Sequence, residues 1–117
     1  EFAGANNSLY IIRNGKLKEM KPDKMPIGRL DENMTPFSST IIALEKNDLI
    51  VSFTDGYADQ FGGPKGKKFR YKQFEEILLV NAELPAKQLQ EKLLTSFIQW
   101  KGEMEQTDDV CIIGIRV

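Results

Sequence analysis

Asp55, Asp59, Asp108 and Asp109 are the side chains of this sequence best placed to do chemistry. Asp55-Gly56 ends the apolar run that begins at Asp48, and Asp108-Asp109 directly precedes the apolar run Val110 to Val117. If these runs are antiparallel neighbours, the end of one lies beside the start of the other, about 4.8 Å away. Carboxylates at those ends then converge, with Asp59 a short step further along the chain. Clustered carboxylates repel one another unless they are protonated or neutralised by a cation. Ligands that are all oxygen favour Mg²⁺ or Mn²⁺ over zinc or copper. On spacing alone, ordinary turns account for the same residues, because Asp-Gly is a favoured turn dipeptide and aspartates ahead of a strand are commonly solvated.

Composition narrows the chemistry further. The chain has no histidine, which excludes Ser-His-Asp or Cys-His machinery and histidine-ligated zinc within it. Its 16 Lys and Arg against 17 Asp and Glu leave a net charge of -1, which argues against a nucleic-acid partner, whose binding draws mainly on excess positive charge. A single cysteine, Cys111, cannot form an internal disulfide and suits a cytoplasmic compartment; within an apolar strand it reads as a small buried hydrophobe. No apolar run approaches the roughly 18 residues of a membrane span, and no signal-peptide pattern is present. With 117 residues the chain is one domain or part of one. Glu1-Phe2 in place of a starting methionine is either a cloning scar or native sequence cut from a longer protein.

The elements that must position the aspartates follow from pattern. Ser8 to Arg13 and Lys16 to Met20 flank Asn14-Gly15, the strongest local hairpin signal, since a type I′ turn needs positive φ at both central residues. Residues 21–36, with Pro22, Pro26, Gly28 and Pro36, read as a long loop. Phe37 to Leu44 and Asp48 to Thr54 read as strands. Asp55 to Lys68 is too rich in glycine for regular structure throughout. Tyr71, Phe74, Ile77 and Leu78 predict one helix. Leu89, Leu93, Phe97 and Trp100 predict a second, opened by Pro85 and stopped by Gly102, with Phe97 and Trp100 as core. In the last strand, Cys111, Ile113, Ile115 and Val117 alternate with Val110 and Ile112, so both faces expect a cover. Ser52 and Thr54 have no base to activate them and read as strand residues. The fold expected is α+β, part of an α-β-β-α sandwich of mainly antiparallel sheets, with about five strands and two helices in this piece.

Lys65, Lys67, Lys68, Arg70 and Lys72 form a basic run just beyond the acidic site. It reads either as a solvated loop entering a helix or as a docking surface that draws in a phosphorylated partner.

These pieces together resemble the C-terminal half of the catalytic domain of PPM-type metal-dependent serine/threonine phosphatases, the bacterial SpoIIE branch above all. The resemblance rests on Ala3-Gly4-Ala5-Asn6-Asn7 before a strand, Pro26-Ile27-Gly28 in the loop, Asn47-Asp48 before the strand ending Thr54-Asp55-Gly56, then Phe61-Gly62 and the closing Asp108-Asp109. It extends over nearly the whole chain. It implies that Asp55 and Asp108 are ligands of a binuclear Mn²⁺ or Mg²⁺ centre. It further implies that Asp59 helps hold a third, looser ion, that Gly56 lets the backbone turn tightly there, and that Asp109 stands where many relatives have Asn. In that family the two ions position a bridging water that attacks phosphorus in line. The substrate it implies is a phosphorylated protein, an anti-sigma-factor antagonist in this branch. Ala5, Asn7 and Asn47 depart from the common His, Pro and Gly. The family's first metal motif, an Asp-Gly containing the aspartate that bridges both ions, lies upstream of every piece present here. The expectation is therefore weak metal binding and little activity for these 117 residues alone, with an exposed apolar face that invites self-association. The competing reading is a non-catalytic interaction module that has kept the fold.

Overall fold

The computed structural model describes residues 1–28 and 35–117; the part of the expected 21–36 loop between them lies outside the described residues. The chain forms β1 (Leu9–Arg13), β2 (Lys16–Met20), β3 (Leu49–Phe53), α1 (Gly56–Asp59), β4 (Phe61–Gly62), β5 (Lys67–Lys68), α2 (Tyr71–Val80), α3 (Ala86–Lys101) and β6 (Ile112–Arg116). β1 and β2 are joined as expected by Asn14 and Gly15, both at positive φ (49° and 71°). The main sheet runs β2-β1-β3-β6, every pair antiparallel, and β4-β5 is a separate small hairpin. The fold is α+β, with six strands and three helices among the described residues.

One face of the sheet carries the core. Tyr10, Ile12, Leu49, Val51 and Phe53 point to Phe74 and Leu78 of α2 and to Leu89, Leu93 and Phe97 of α3. Phe53, Phe74 and Tyr57 follow one another at ring-centre distances of 5.0–5.1 Å, and Tyr57 contacts both Phe97 and Phe69 at 5.2 Å, with Trp100 edge-on to Phe69 at 5.3 Å. The stripe expected on α3 is therefore core, and Gly102 (φ 52°) ends that helix with its N–H on the carbonyl of Ile98. On the opposite face, Ile113 pairs with Ser52 and Ile115 with Ile50. Ile113 and Ile115 remain 55% and 54% exposed, so the described residues cover β6 on one side only. Beside it, α3, β3 and β6 enclose an apolar groove of about 540 Å³ lined by Leu49, Leu93, Phe97, Val110 and Ile112.

Three expectations are corrected. Phe37 to Leu44 forms no strand beyond a single bridge from Thr40 to Phe2. Side chains, not a ladder, tie the segment down. Ser38 donates through its N–H and hydroxyl to Asp23, and Arg13 donates to the carbonyl of Ala43. The glycine-rich stretch contains three short elements, α1, β4 and β5, which raise the count above five strands and two helices. Cys111 is exposed because it alternates onto the side of Ile113 and Ile115, opposite Val110 and Ile112, which pack on the helical core.

Candidate metal centre

The site is built where β3 and β6 run out together. Their ladder ends at Phe53 opposite Ile112, and the N–H of Thr54 extends it by donating to the carbonyl of Cys111 (3.0 Å). Past this point the ladder stops, and Thr54 takes over with its side chain. Its hydroxyl donates to the carbonyl of Asp109 (2.8 Å) and accepts from the N–H of Cys111 (3.0 Å). Asp55 follows at once and stands at the N-cap of α1. Gly56 packs so closely on the other segment that a Cβ placed on it would lie 2.9 Å from the carbonyl carbon of Asp109 and 3.2 Å from Cγ2 of Val110. Asp55-Gly56 and Asp108-Asp109, far apart along the chain, thus abut at one edge of the sheet.

The carboxylates there are largely uncommitted. Asp55 occupies a cap position without making the usual cap bond, and it is exposed. Asp108 is exposed and accepts the N–H of Asp109 on Oδ1 (2.7 Å), leaving Oδ2 open. Its carbonyl is held by the side-chain amide of Gln106 (2.9 Å). Asp59 lies one helical turn past Asp55, its N–H on the Asp55 carbonyl (2.9 Å), but its carboxylate is engaged by the ammonium of Lys68 (3.0 Å). Both partners of that pair are more than 40% exposed, so it contributes at most about 1 kcal/mol.

No group of three or more acidic or thiol side chains spaced to hold a metal exists among the described residues. The residue types on the two abutting segments nevertheless suit a hard cation. Their carboxylate donors are oxygen only, and the absence of a side chain at Gly56 lets the two segments pack in direct contact. Mg²⁺ is commonly held by one or two carboxylates, with waters and phosphate oxygens completing its shell.

Surrounding residues hold this edge in place. Tyr57, buried in the aromatic core, donates its hydroxyl to the carbonyl of Leu93 (2.9 Å) and so pins α1 to α3; burial pushes its phenol pKa up. Gln60 is fully buried, and its amide donates to the carbonyls of Phe61 and Glu105 (2.9 Å each), holding the loop that leads to Asp108. Tyr71 faces the acidic edge. Its phenol pKa is raised by burial and then by the negative charges of Asp55, Asp59 and Glu19. None of these three was singled out from the sequence for this role, since each reads as a helix or loop residue until the fold is known. For Thr54, a hydroxyl directly before Asp55 was the one available signal.

The basic run leads away from the same corner. Lys65, Lys67, Lys68, Arg70 and Lys72 are all exposed. Lys67 and Lys68 form β5 against Gly62 and Phe61, and Lys68 also lies 5.8 Å over the Phe61 ring. Arg70 adopts φ 74°, ψ 150°, a backbone region that side chains rarely enter, and its N–H is held by the carbonyl of Ala58 (2.7 Å).

Comparison with known proteins agrees with this architecture. The family model for Stage II sporulation protein E (SpoIIE) matches residues 1–117, and the chain belongs to that family. Among solved structures, the SiaA-PP2C domain of Pseudomonas aeruginosa superposes with a TM-score of 0.86 at 28% identity, over 98% of this chain and 44% of that one. The PP2C phosphatase domain, with a fragment of the regulatory domain, of the cell fate determinant SpoIIE from Bacillus subtilis superposes with a TM-score of 0.66. At 18% identity, over 96% of this chain and 32% of that one, the second likeness speaks for the fold. The chain thus spans less than half the length of either. A search of curated proteins finds no match. No helix among the described residues is long and apolar enough to cross a membrane.

Proposed function

We propose that this chain is the C-terminal part of a metal-dependent phosphatase domain that hydrolyses phosphoserine and phosphothreonine on a protein, with Asp55 and Asp108 as ligands of a Mg²⁺ or Mn²⁺ centre. The observation that carries this reading is the abutment of the Asp55-Gly56 and Asp108-Asp109 segments through Thr54 and Gly56. When bound, the metal supplies a water nucleophile and offsets charge on the phosphoryl oxygens. The chain's own residues do the rest. Asp55 and the free oxygen of Asp108 bind and orient the ion, Asp109 lies beside them, and Tyr57 and Gln60 keep the two segments from drifting. Asp59, in its pair with Lys68, is available to a looser ion only once that pair opens. Lys65, Lys67, Lys68 and Arg70 form a cationic rim that attracts a phosphorylated partner, an anti-sigma-factor antagonist in a bacterial cytoplasm by the family resemblance.

The exposed isoleucines of β6 and the apolar groove beside them are surfaces the remainder of the domain covers, and a second copy covers them when these 117 residues are alone. With two ligand carboxylates in place of a full set, the isolated chain holds metal weakly and turns over little.

The test is hydrolysis of a phosphoaryl substrate with Mn²⁺ by the product of the full open reading frame. Asp55→Ala and Asp108→Ala each abolish it; retention of activity in either variant refutes the assignment. The pairing of two carboxylates without a third among the described residues is the observation favouring the other reading, a non-catalytic module. A full reading frame without an upstream Asp-Gly would establish that reading instead.

A further inference from the structure

We propose that Thr54 is a positioning residue for the metal centre, an inference that rests on the reading just given. The hydroxyl spends both its donor and its acceptor on the facing segment, bridging the carbonyl of Asp109 and the N–H of Cys111 (2.8 and 3.0 Å). Ordinary ladder bonds at this point would fix strand separation only. The hydroxyl bond fixes the orientation of the peptide that follows Asp109, because it holds that carbonyl in one direction.

The same carbonyl is the group that Gly56 approaches from the other side, so it is confined between α1 and Thr54. The consequence reaches Asp108 through one more bond. The N–H of Asp109 donates to Oδ1 of Asp108 (2.7 Å), so a restrained backbone at Asp109 restrains the Asp108 carboxylate and leaves one of its oxygens free. Thr54 thus positions Asp108 beside the segment that carries Asp55, its own neighbour in the chain, without itself touching the ion. Outer-shell hydrogen bonds of this kind typically govern metal affinity by 10–100-fold.

The substitution to make is Thr54→Val, which keeps the shape and removes the hydroxyl, with Thr54→Ser as the conservative partner. The probe is Mg²⁺ or Mn²⁺ alone, titrated calorimetrically into the product of the full open reading frame, with thermal melting measured alongside. Thr54→Val is expected to bind the ion about tenfold or more weakly, and Thr54→Ser to bind within about threefold of the parent. A merely structural hydroxyl would lower the melting temperature of Thr54→Val while leaving ion affinity unchanged, and that result overturns the proposal.

Should Thr54→Val fail to fold, amide exchange in the unaltered protein decides. If the clamp aims the ligand, ion binding must tighten the clamp in return, because coupling is reciprocal. Saturating Mg²⁺ should therefore slow exchange at Cys111 about fivefold or more relative to Ile11 in β1. Unchanged exchange at Cys111 refutes the proposal. An unaltered protein that binds neither ion removes the metal reading and this inference together, whereas binding that Thr54→Val leaves intact removes this inference alone.

Discussion

Replacing Gly56 by Ala tests the packing on which the site depends. Gly56 has no positive φ, so alanine meets no backbone penalty there, and at a helix start it would ordinarily stabilise by about 0.4–1 kcal/mol. Space decides otherwise. The new methyl would lie 2.9 Å from the carbonyl carbon of Asp109 and closer still to its oxygen, and that carbonyl cannot swing away without breaking its bond from Thr54. Overpacking of this sort costs about 1–3 kcal/mol, and because the clash is with backbone the upper half of that range applies, which leaves a net loss of up to about 2.6 kcal/mol after the alanine gain is subtracted. For a chain of this length that is a fall in melting temperature of up to roughly 10 °C. The control is Gly114→Ala, whose methyl would meet only Cδ1 of Leu49 at 3.8 Å and which should be neutral or stabilising. Both variants are melted under the same conditions and followed by circular dichroism. Equal melting temperatures for Gly56→Ala and Gly114→Ala would refute the claim that the two aspartate segments are held in contact at this point.

Other expectations follow from side chains nearby. Asp48 is buried and its pKa is drawn down from 3.8 to about 2, first by the hydrogen bonds of Arg13 and then by the N–H of Glu45. Because the folded value lies below the unfolded one, its contribution to stability is complete above about pH 4 and disappears as pH falls through about 2. Urea titrations across that window should show the loss in the parent, and Asp48→Asn should flatten it; an unchanged slope would contradict the ion pair. Tyr57→Phe removes the hydroxyl that pins α1 to Leu93 and should cost about 0.5–1.5 kcal/mol by chemical denaturation, with no cost if α1 is free to shift. Gln60→Glu should destabilise more than Gln60→Met, because it places a charge in a fully buried position and loses the amide donors to Phe61 and Glu105; the reverse order in urea would refute the clamp.

Local rules made some of this architecture readable from the residues alone. Asn14-Gly15 announced the β1–β2 hairpin because few other dipeptides accept two positive φ values. The α3 stripe of Leu89, Leu93 and Phe97 was legible because helical spacing and burial coincide there. The meeting of Asp55-Gly56 with Asp108-Asp109 was legible through the assumption that β3 and β6 are antiparallel neighbours, which the register bears out.

What the sequence hid depends on partners that no local pattern names. Phe37 to Leu44 has strand composition, but it meets Phe2 through a single bridge and is otherwise held by side-chain bonds to Asp23 and from Arg13. Cys111 sits in an apolar run yet shares the uncovered side of the strand with Ile113 and Ile115. Thr54 looked like any β-branched strand residue, and only its place at the end of the β3–β6 ladder turns its hydroxyl into a bridge. Lys68 belongs to a basic run but is the residue that meets Asp59, a pairing made by the β4–β5 hairpin and not by proximity in the chain.

Whether Asp55 and Asp108 share one ion is answered most directly by calorimetric titration of Mg²⁺ into the product of the full open reading frame, with Asp55→Asn, Asp108→Asn and the pair combined. Shared coordination predicts that either single substitution removes the same binding event and that the combination adds little to the loss. Independent losses that sum in the double variant, or an Asp108→Asn protein that binds as the parent does, would contradict it.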